Sequence, residues 1–198
     1  MRTPVTYIVL GLCGYPALAL FEYASWRKMG VLKVVMAIVA VILPSVALAA
    51  VCLDAARFSV PGILSSLGWV LAALSAGLWL YSMFWEIPFA NTYVNAGHGD
   101  VLITHGTYAL TRHPTVLWLG FILLGLVLAT RSSLLRLAAP IWWLADVLYV
   151  WGEERWYLRR VFAGYAAYQR TTPMLLPTLG SLRRCLKTIA HHGEDAGV

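Results

Sequence analysis

Five apolar runs, the first and fourth of them short for a full span, constrain this chain more than any other feature. They are Val5 to Phe21, Leu32 to Leu53, Ile63 to Trp85, Thr115 to Ala129 and Leu134 to Trp151. A hydrocarbon core of ~30 Å takes ~20 helical residues to span. Backbone inside it must satisfy its own hydrogen bonds, and runs of this length do so as helices. The sequence therefore predicts an all-α polytopic membrane protein of about five transmembrane helices. A C-terminal amphipathic helix is expected over Glu153 to Arg170, where Leu158, Val161, Tyr165 and Tyr168 recur at helical spacing. Composition agrees, since 60% apolar and 12% charged residues lie far from the balance of a soluble protein.

The chain reads as a single membrane domain, residues 1–198. Residues 1–85 supply three spans, 86–177 a catalytic half (loop, helical hairpin and amphipathic helix), and 178–198 a mobile tail. Pro16 and Pro44 interrupt the first two runs, which neighbouring helices can accommodate. Arg2 and Ala17-Leu18-Ala19 give the first run the outline of a signal peptide, but it is read as a spanning helix. A net charge of +6 raises nucleic acid as a partner, yet no basic face is continuous, so no nucleic-acid binding is expected. The basic residues instead flank the apolar runs. With five spans and a cytoplasmic C-terminus, eleven of the 15 Lys and Arg fall on the cytoplasmic side, as the positive-inside bias requires. This would be the inner membrane if the chain is bacterial. Cys13, Cys52 and Cys185 have no paired spacing, so neither a disulfide framework nor a metal site is expected.

Chemistry concentrates in few places. Glu86 to Arg112 is the long polar stretch, with Asn91, Asn95, His98, Asp100 and His105, and it ends in Leu-Ile-Thr-His-Gly-Thr-Tyr-Ala-Leu-Thr-Arg-His-Pro, Leu102 to Pro114. Glu153 and Glu154 have Trp156, Tyr157 and Leu158 at their i+3 and i+4 positions. Neither can form a helical ion pair with the nearby arginines, which leaves them for a bound cation or amine; the competing reading is a helix start favoured by the dipole. Asp146, deep in the last run, should face the protein interior, as a structural hydrogen-bonding group or a functional one. Arg112 could anchor at the headgroups by snorkelling. His191 and His192 read as solvated.

Leu102, Ile103, Thr104, Gly106, Tyr108 and Arg112-His113-Pro114, followed by Glu153-Glu154, Tyr165, Tyr168, Pro173 and Pro177, resemble the signature of integral-membrane methyltransferases. That group includes isoprenylcysteine carboxyl methyltransferase and the phospholipid N-methyltransferases. The resemblance implies S-adenosylmethionine as cofactor, held by Leu102, Ile103, Tyr108, His113, Pro114, Val116, Glu153 and Glu154. It also implies Arg112 and Glu153 as the groups closest to the chemistry. Val116 and Tyr149 depart from the prenylcysteine enzymes, which usually carry a tyrosine and an arginine there. The arginine is thought to meet a substrate carboxylate.

The expected function is transfer of the sulfonium methyl to a lipid-like or small amphipathic acceptor, an amine, carboxylate or thiol, with membrane lipids as surroundings. Such a transfer needs alignment and exclusion of water more than strong acid or base. Two alternatives remain: a sterol-reductase-like enzyme using NADPH, and a non-enzymatic membrane component or transporter.

Overall fold

The computed structural model describes residues 4–87 and 101–195, with side chains for 5–87 and 101–189. Asn91, Asn95, His98 and Asp100 lie outside the described residues, as do the side chains of His191 and His192. The described chain is helical, in the order α1 (Pro4–Leu12), α2 (Gly14–Trp26), α3 (Gly30–Cys52), α4 (Gly62–Leu80), α5 (Thr107–Leu110), α6 (Pro114–Thr130), α7 (Ser133–Glu153), α8 (Arg159–Val161), α9 (Tyr165–Thr171) and α10 (Leu179–Asp195). Four stretches are long and apolar enough to cross a membrane: Val5–Trp26, Gly30–Cys52, Gly62–Trp85 and Ser133–Val161. Pro114–Thr130 is a shorter apolar helix. The first stretch breaks between α1 and α2 around Cys13, where Pro16 removes the N–H that would have bonded the carbonyl of Leu12.

Large apolar side chains point outward. Val31 is 82% exposed, Leu74 66% and Trp69 55%, as expected where lipid rather than water surrounds the bundle. Small residues hold the interior, because lipid tails give apolar helices no hydrophobic reason to associate and close backbone approach must do it. α4 and α6 meet through Gly68 and Ala72 on one side and Gly125 and Ala129 on the other. A Cβ on Gly68 would lie 2.7 Å from both the Ala129 nitrogen and the Gly125 oxygen, and one on Gly125 would lie 2.6 Å from the Ala72 nitrogen. Each helix thus carries a small residue every fourth position at the contact. Ser65 adds a hydrogen bond to the Ala129 carbonyl at 3.0 Å.

α6 and α7 form the expected hairpin. Ser132 caps α7 by accepting from the Leu135 N–H at 3.1 Å and donates to the Val51 carbonyl at 2.6 Å. Arg57 reaches the end carbonyls of α3 and α6, Cys52 at 2.9 Å and Thr130 at 2.7 Å. Leu135, Ala138, Trp142, Ala47, Val51 and Leu123 pack into one buried cluster near this hairpin. Trp142 also donates to the Ile8 carbonyl at 3.0 Å and accepts from Tyr15 through its own carbonyl at 2.8 Å, which pins α1 and α2 against α7.

Two expectations for the C-terminal part change. Glu153 to Arg170 is not one surface helix: α7 runs through a π-helical turn, Glu154–Leu158, into α8, and the chain then breaks before α9. Tyr165 and Tyr168 are buried inward rather than laid on the membrane. The amphipathic helix stands further along, where a tail was expected. α10 follows a reciprocal cap in which Thr178 Oγ1 accepts from the Ser181 N–H at 3.1 Å and Ser181 Oγ accepts from the Thr178 N–H at 2.9 Å. That arrangement satisfies two backbone donors at once and starts the helix directly after Pro177.

Candidate active site

The motif is built by a change of backbone direction. α5 ends at Thr111, which is extended (φ −144°, ψ 156°), and His113 stays out of the helical region (φ −124°, ψ 68°) before Pro114 opens α6. A residue preceding proline is pushed away from the helical region, and proline suits a first helical position. Arg112 and His113 therefore present free N–H groups. These donate to the carbonyls of Pro173 at 2.9 Å and Met174 at 3.2 Å, so the segment after α9 is tied across the motif.

Glu154 is the hub of the side chains. Its carboxylate accepts from Arg112 Nε at 2.6 Å and Nη2 at 3.0 Å, a fork-to-fork pair. It also takes Tyr165 Oη at 2.9 Å and Gln169 Nε2 at 2.9 Å, and lies 3.0 Å from His113 Nε2. The remaining Arg112 nitrogen donates to the carbonyls of Thr172 at 2.5 Å and Gln169 at 3.3 Å. Glu154 is 6% exposed, so this ion pair is shielded from water. Burial alone would ease the proton off Arg112, but its hydrogen bonds to Glu154 and that charge win and push its pKa up. Burial and the nearby Glu154 charge raise the Tyr165 hydroxyl, and burial raises Tyr168 although Arg112 opposes it. Both tyrosines remain neutral donors.

Around this hub, Tyr168 donates to the Tyr108 carbonyl at 2.6 Å, and Leu102 lies against Gly164, where a Cβ would be 3.5 Å from its Cδ2. Ile103 is half-buried just before the turn at Gly106. Gly106 has φ +57°, and a Cβ there would overlap the Glu86 carboxylate. Glu86 accepts from the Thr107 N–H at 2.7 Å and from the Thr107 hydroxyl, while Ser82 bridges Thr107 at 2.8 Å and Trp118 at 3.1 Å. This knot fixes the motif to a second π-helical turn, Tyr81–Trp85, at the end of α4.

Glu153 points elsewhere. Consecutive helical residues diverge by ~100°, so it leaves the Glu154 hub and comes within electrostatic range of Glu22 and Asp146. Trp142, Asp146, Tyr149 and Glu153 share one face of α7 at helical spacing. Tyr149 donates to the Glu22 carboxylate from α2, and its ring stacks at 5.8 Å on Tyr15. Neither Glu153 nor Asp146 makes a hydrogen bond among the described residues, so the structural hydrogen-bonding reading of Asp146 finds no partner there. Val116 is buried on α6, and its carbonyl accepts from Trp143 at 3.1 Å.

The structure thus brings Arg112, His113, Pro114 and Glu154 together, with Tyr108 and Leu102 at the margin and Glu153 on the adjoining face. Sequence reasoning missed Gln169, Glu86 and Glu22. For Glu22 there was a signal: an acidic residue among Leu18 to Trp26, within a spanning stretch, marks a functional position by default. For Gln169 there was none.

The phospholipid methyltransferase family model matches residues 64–164, from the start of α4 to the break before α9. No curated protein and no solved structure matches the chain. The match covers half of the chain and contains Leu102 to Pro114, Glu153 and Glu154 in one helical membrane bundle, and on that ground the chain belongs to the phospholipid methyltransferase family.

Proposed function

We propose that this protein transfers the methyl of S-adenosylmethionine to the amine head of a membrane lipid. The observation carrying this reading is the division of labour between the two glutamates: Glu154 is consumed by Arg112, Tyr165 and Gln169, whereas Glu153 has no hydrogen bond among the described residues and adjoins Glu22 and Asp146. A partly buried carboxylate without a donor fits a cationic or hydroxyl-rich ligand. The Thr111 hydroxyl, fully buried beside Arg112 and without a partner among the described residues, fits the same expectation.

When bound, the cofactor supplies a methyl already activated on a sulfonium. The residues that would hold it are Glu153, with Leu102, Ile103, Tyr108, His113, Pro114 and Val116 lining the pocket and Glu154 behind them. Arg112 is a positioning residue in this reading: it ties Glu154 to the chain after α9, and thereby sets how Glu153 is presented. Where prenylcysteine enzymes carry an arginine, this chain has Tyr149 bound to Glu22. An acidic lining repels a carboxylate acceptor and attracts an ammonium head. Glu22, Asp146 and Glu153 can orient that head and accept the proton an amine must lose before methylation.

The test uses purified protein in nanodiscs with methyl-labelled cofactor. Label should enter an amine-headed phospholipid and not a prenylcysteine or a thiol, and Glu22→Gln should reduce that transfer. Saturating S-adenosylhomocysteine should raise the melting temperature, since a ligand at 100 times its dissociation constant stabilises by ~2.7 kcal/mol. Glu153→Gln should shrink the shift while Glu22→Gln keeps it. No shift in the parent protein, or an undiminished one in Glu153→Gln, defeats the cofactor assignment. Label in the prenylcysteine alone defeats the amine.

We further infer that the motif end of the bundle faces the cytoplasm. Arg27, Lys28, Arg112, Arg155, Arg159 and Arg160 belong to this end, against Arg57, Arg131 and Arg136 at the other, the asymmetry of a positive-inside protein. Val101 is exposed, so a membrane-impermeant thiol reagent should label Val101→Cys only when the cytoplasmic face is open. Labelling from the opposite face alone reverses the assignment.

A further inference from the structure

α10 carries an apolar stripe that nothing among the described residues covers. Leu179, Leu182, Leu186 and Ile189 recur at helical spacing and are 80%, 43%, 61% and 43% exposed. The adjoining side of the helix is occupied: Ser181 and Cys185 are buried, and Cys185 packs with Ala109 and Leu110 against Leu117 and Trp118. Leu117 and Trp118 belong to the first turns of α6, just after the motif. α10 therefore lies along the bundle at the level where α6 enters the bilayer, the same end that holds the 82% exposed Trp85, a residue type enriched at headgroup depth. Arg183 and Lys187, both exposed, border the stripe.

We propose that α10 is an in-plane anchor on the anionic headgroup layer of the bilayer that holds the bundle. Its leucines and Ile189 enter the boundary between headgroups and acyl chains, while Arg183 and Lys187 meet lipid phosphates and other anionic heads. Charge complementarity selects this occupant: a stripe edged by cations on a membrane protein, at headgroup level, meets anionic lipid before it meets any soluble partner. The anchor is tied to the motif. Thr188 Oγ1 accepts from the Gly106 N–H at 2.9 Å, and Arg184 donates to the Thr171 carbonyl. Seating α10 on the membrane therefore steadies the Gly106 turn and the segment after α9.

Hydrogen exchange of the whole protein in nanodiscs tests this. Amides of 182–189 should be more protected in bilayers containing anionic lipid than in purely zwitterionic ones. Each near-surface basic residue contributes about fivefold to docking (about 1 kcal/mol), so Arg183→Gln with Lys187→Gln should cut the anionic-lipid-dependent protection roughly 25-fold and leave the melting temperature unchanged. Equal protection in both bilayers overturns the selection of anionic lipid. Protection that grows with protein concentration at fixed lipid composition means a second copy covers the stripe, which also overturns the proposal.

Discussion

Arg112→Leu should lower stability by about 3–5 kcal/mol, the cost of leaving one member of a buried ion pair without its partner. The side chains of Arg112 and Glu154 are 10% and 8% exposed, so little water can replace the lost guanidinium. Glu154 would keep Tyr165 and Gln169, but neutral donors do not balance a buried charge. The carbonyls of Thr172 and Gln169 would lose their donor as well. The melting temperature of the solubilised protein should fall on the order of 10 °C. The informative variant is the double one: Arg112→Leu with Glu154→Leu removes both charges and should recover a large part of the loss, giving a coupling in a double-mutant cycle. If Arg112→Leu melts with the parent protein, the ion pair does not hold the C-terminal segment in place. Methyl transfer should fall in the single and the double variant alike, because in both the presentation of Glu153 loses its support.

The spans were legible because hydropathy over a long window needs no knowledge of tertiary structure. The motif was legible as an ordered series of residue types, and the family match covers that series as far as Glu154. The partner of Glu154 was not. Helical spacing correctly excluded Arg155, Arg159 and Arg160 as i+3 or i+4 partners, and from that exclusion came the expectation that both glutamates wait for a ligand. Arg112 lies 42 residues away, and no local rule pairs residues at that distance. Glu153 keeps the open carboxylate and Glu154 does not, a distinction made by one step of helical rotation. The two π-helical turns, Tyr81–Trp85 and Glu154–Leu158, were equally hidden: propensity does not separate them from α-helix, and such turns often sit at functional sites. Other signals were present and unread. Gly68 with Ala72 and Gly125 with Ala129 follow the small-residue spacing of close membrane helices, and Thr178 with Ser181 announced the start of α10.

On the proposed function, acceptor tail length should have the second large effect. Trp26, one turn after Glu22, and Trp156, one turn after Glu153, are 61% and 66% exposed. Between Val116 and Trp151 the hairpin offers Asp146 and Arg131 with Arg136 at its far turn as charged groups, so the hairpin itself gives a water-soluble acceptor no polar route. For the proposed lipid acceptor the path differs: its head would reach Glu153 and Glu22 while its tail stayed along the outward-facing apolar side chains. Each buried methylene is worth ~0.8 kcal/mol, or about a fourfold gain, and the membrane concentrates the acceptor before it binds. With a common amine head and progressively longer tails, kcat/KM expressed per free aqueous acceptor should rise about fourfold per methylene until the tail outgrows the contact. Equal efficiency for short, fully soluble amines and long-tailed ones would move the entry route from the bilayer to the aqueous face and make a small soluble amine the better substrate class.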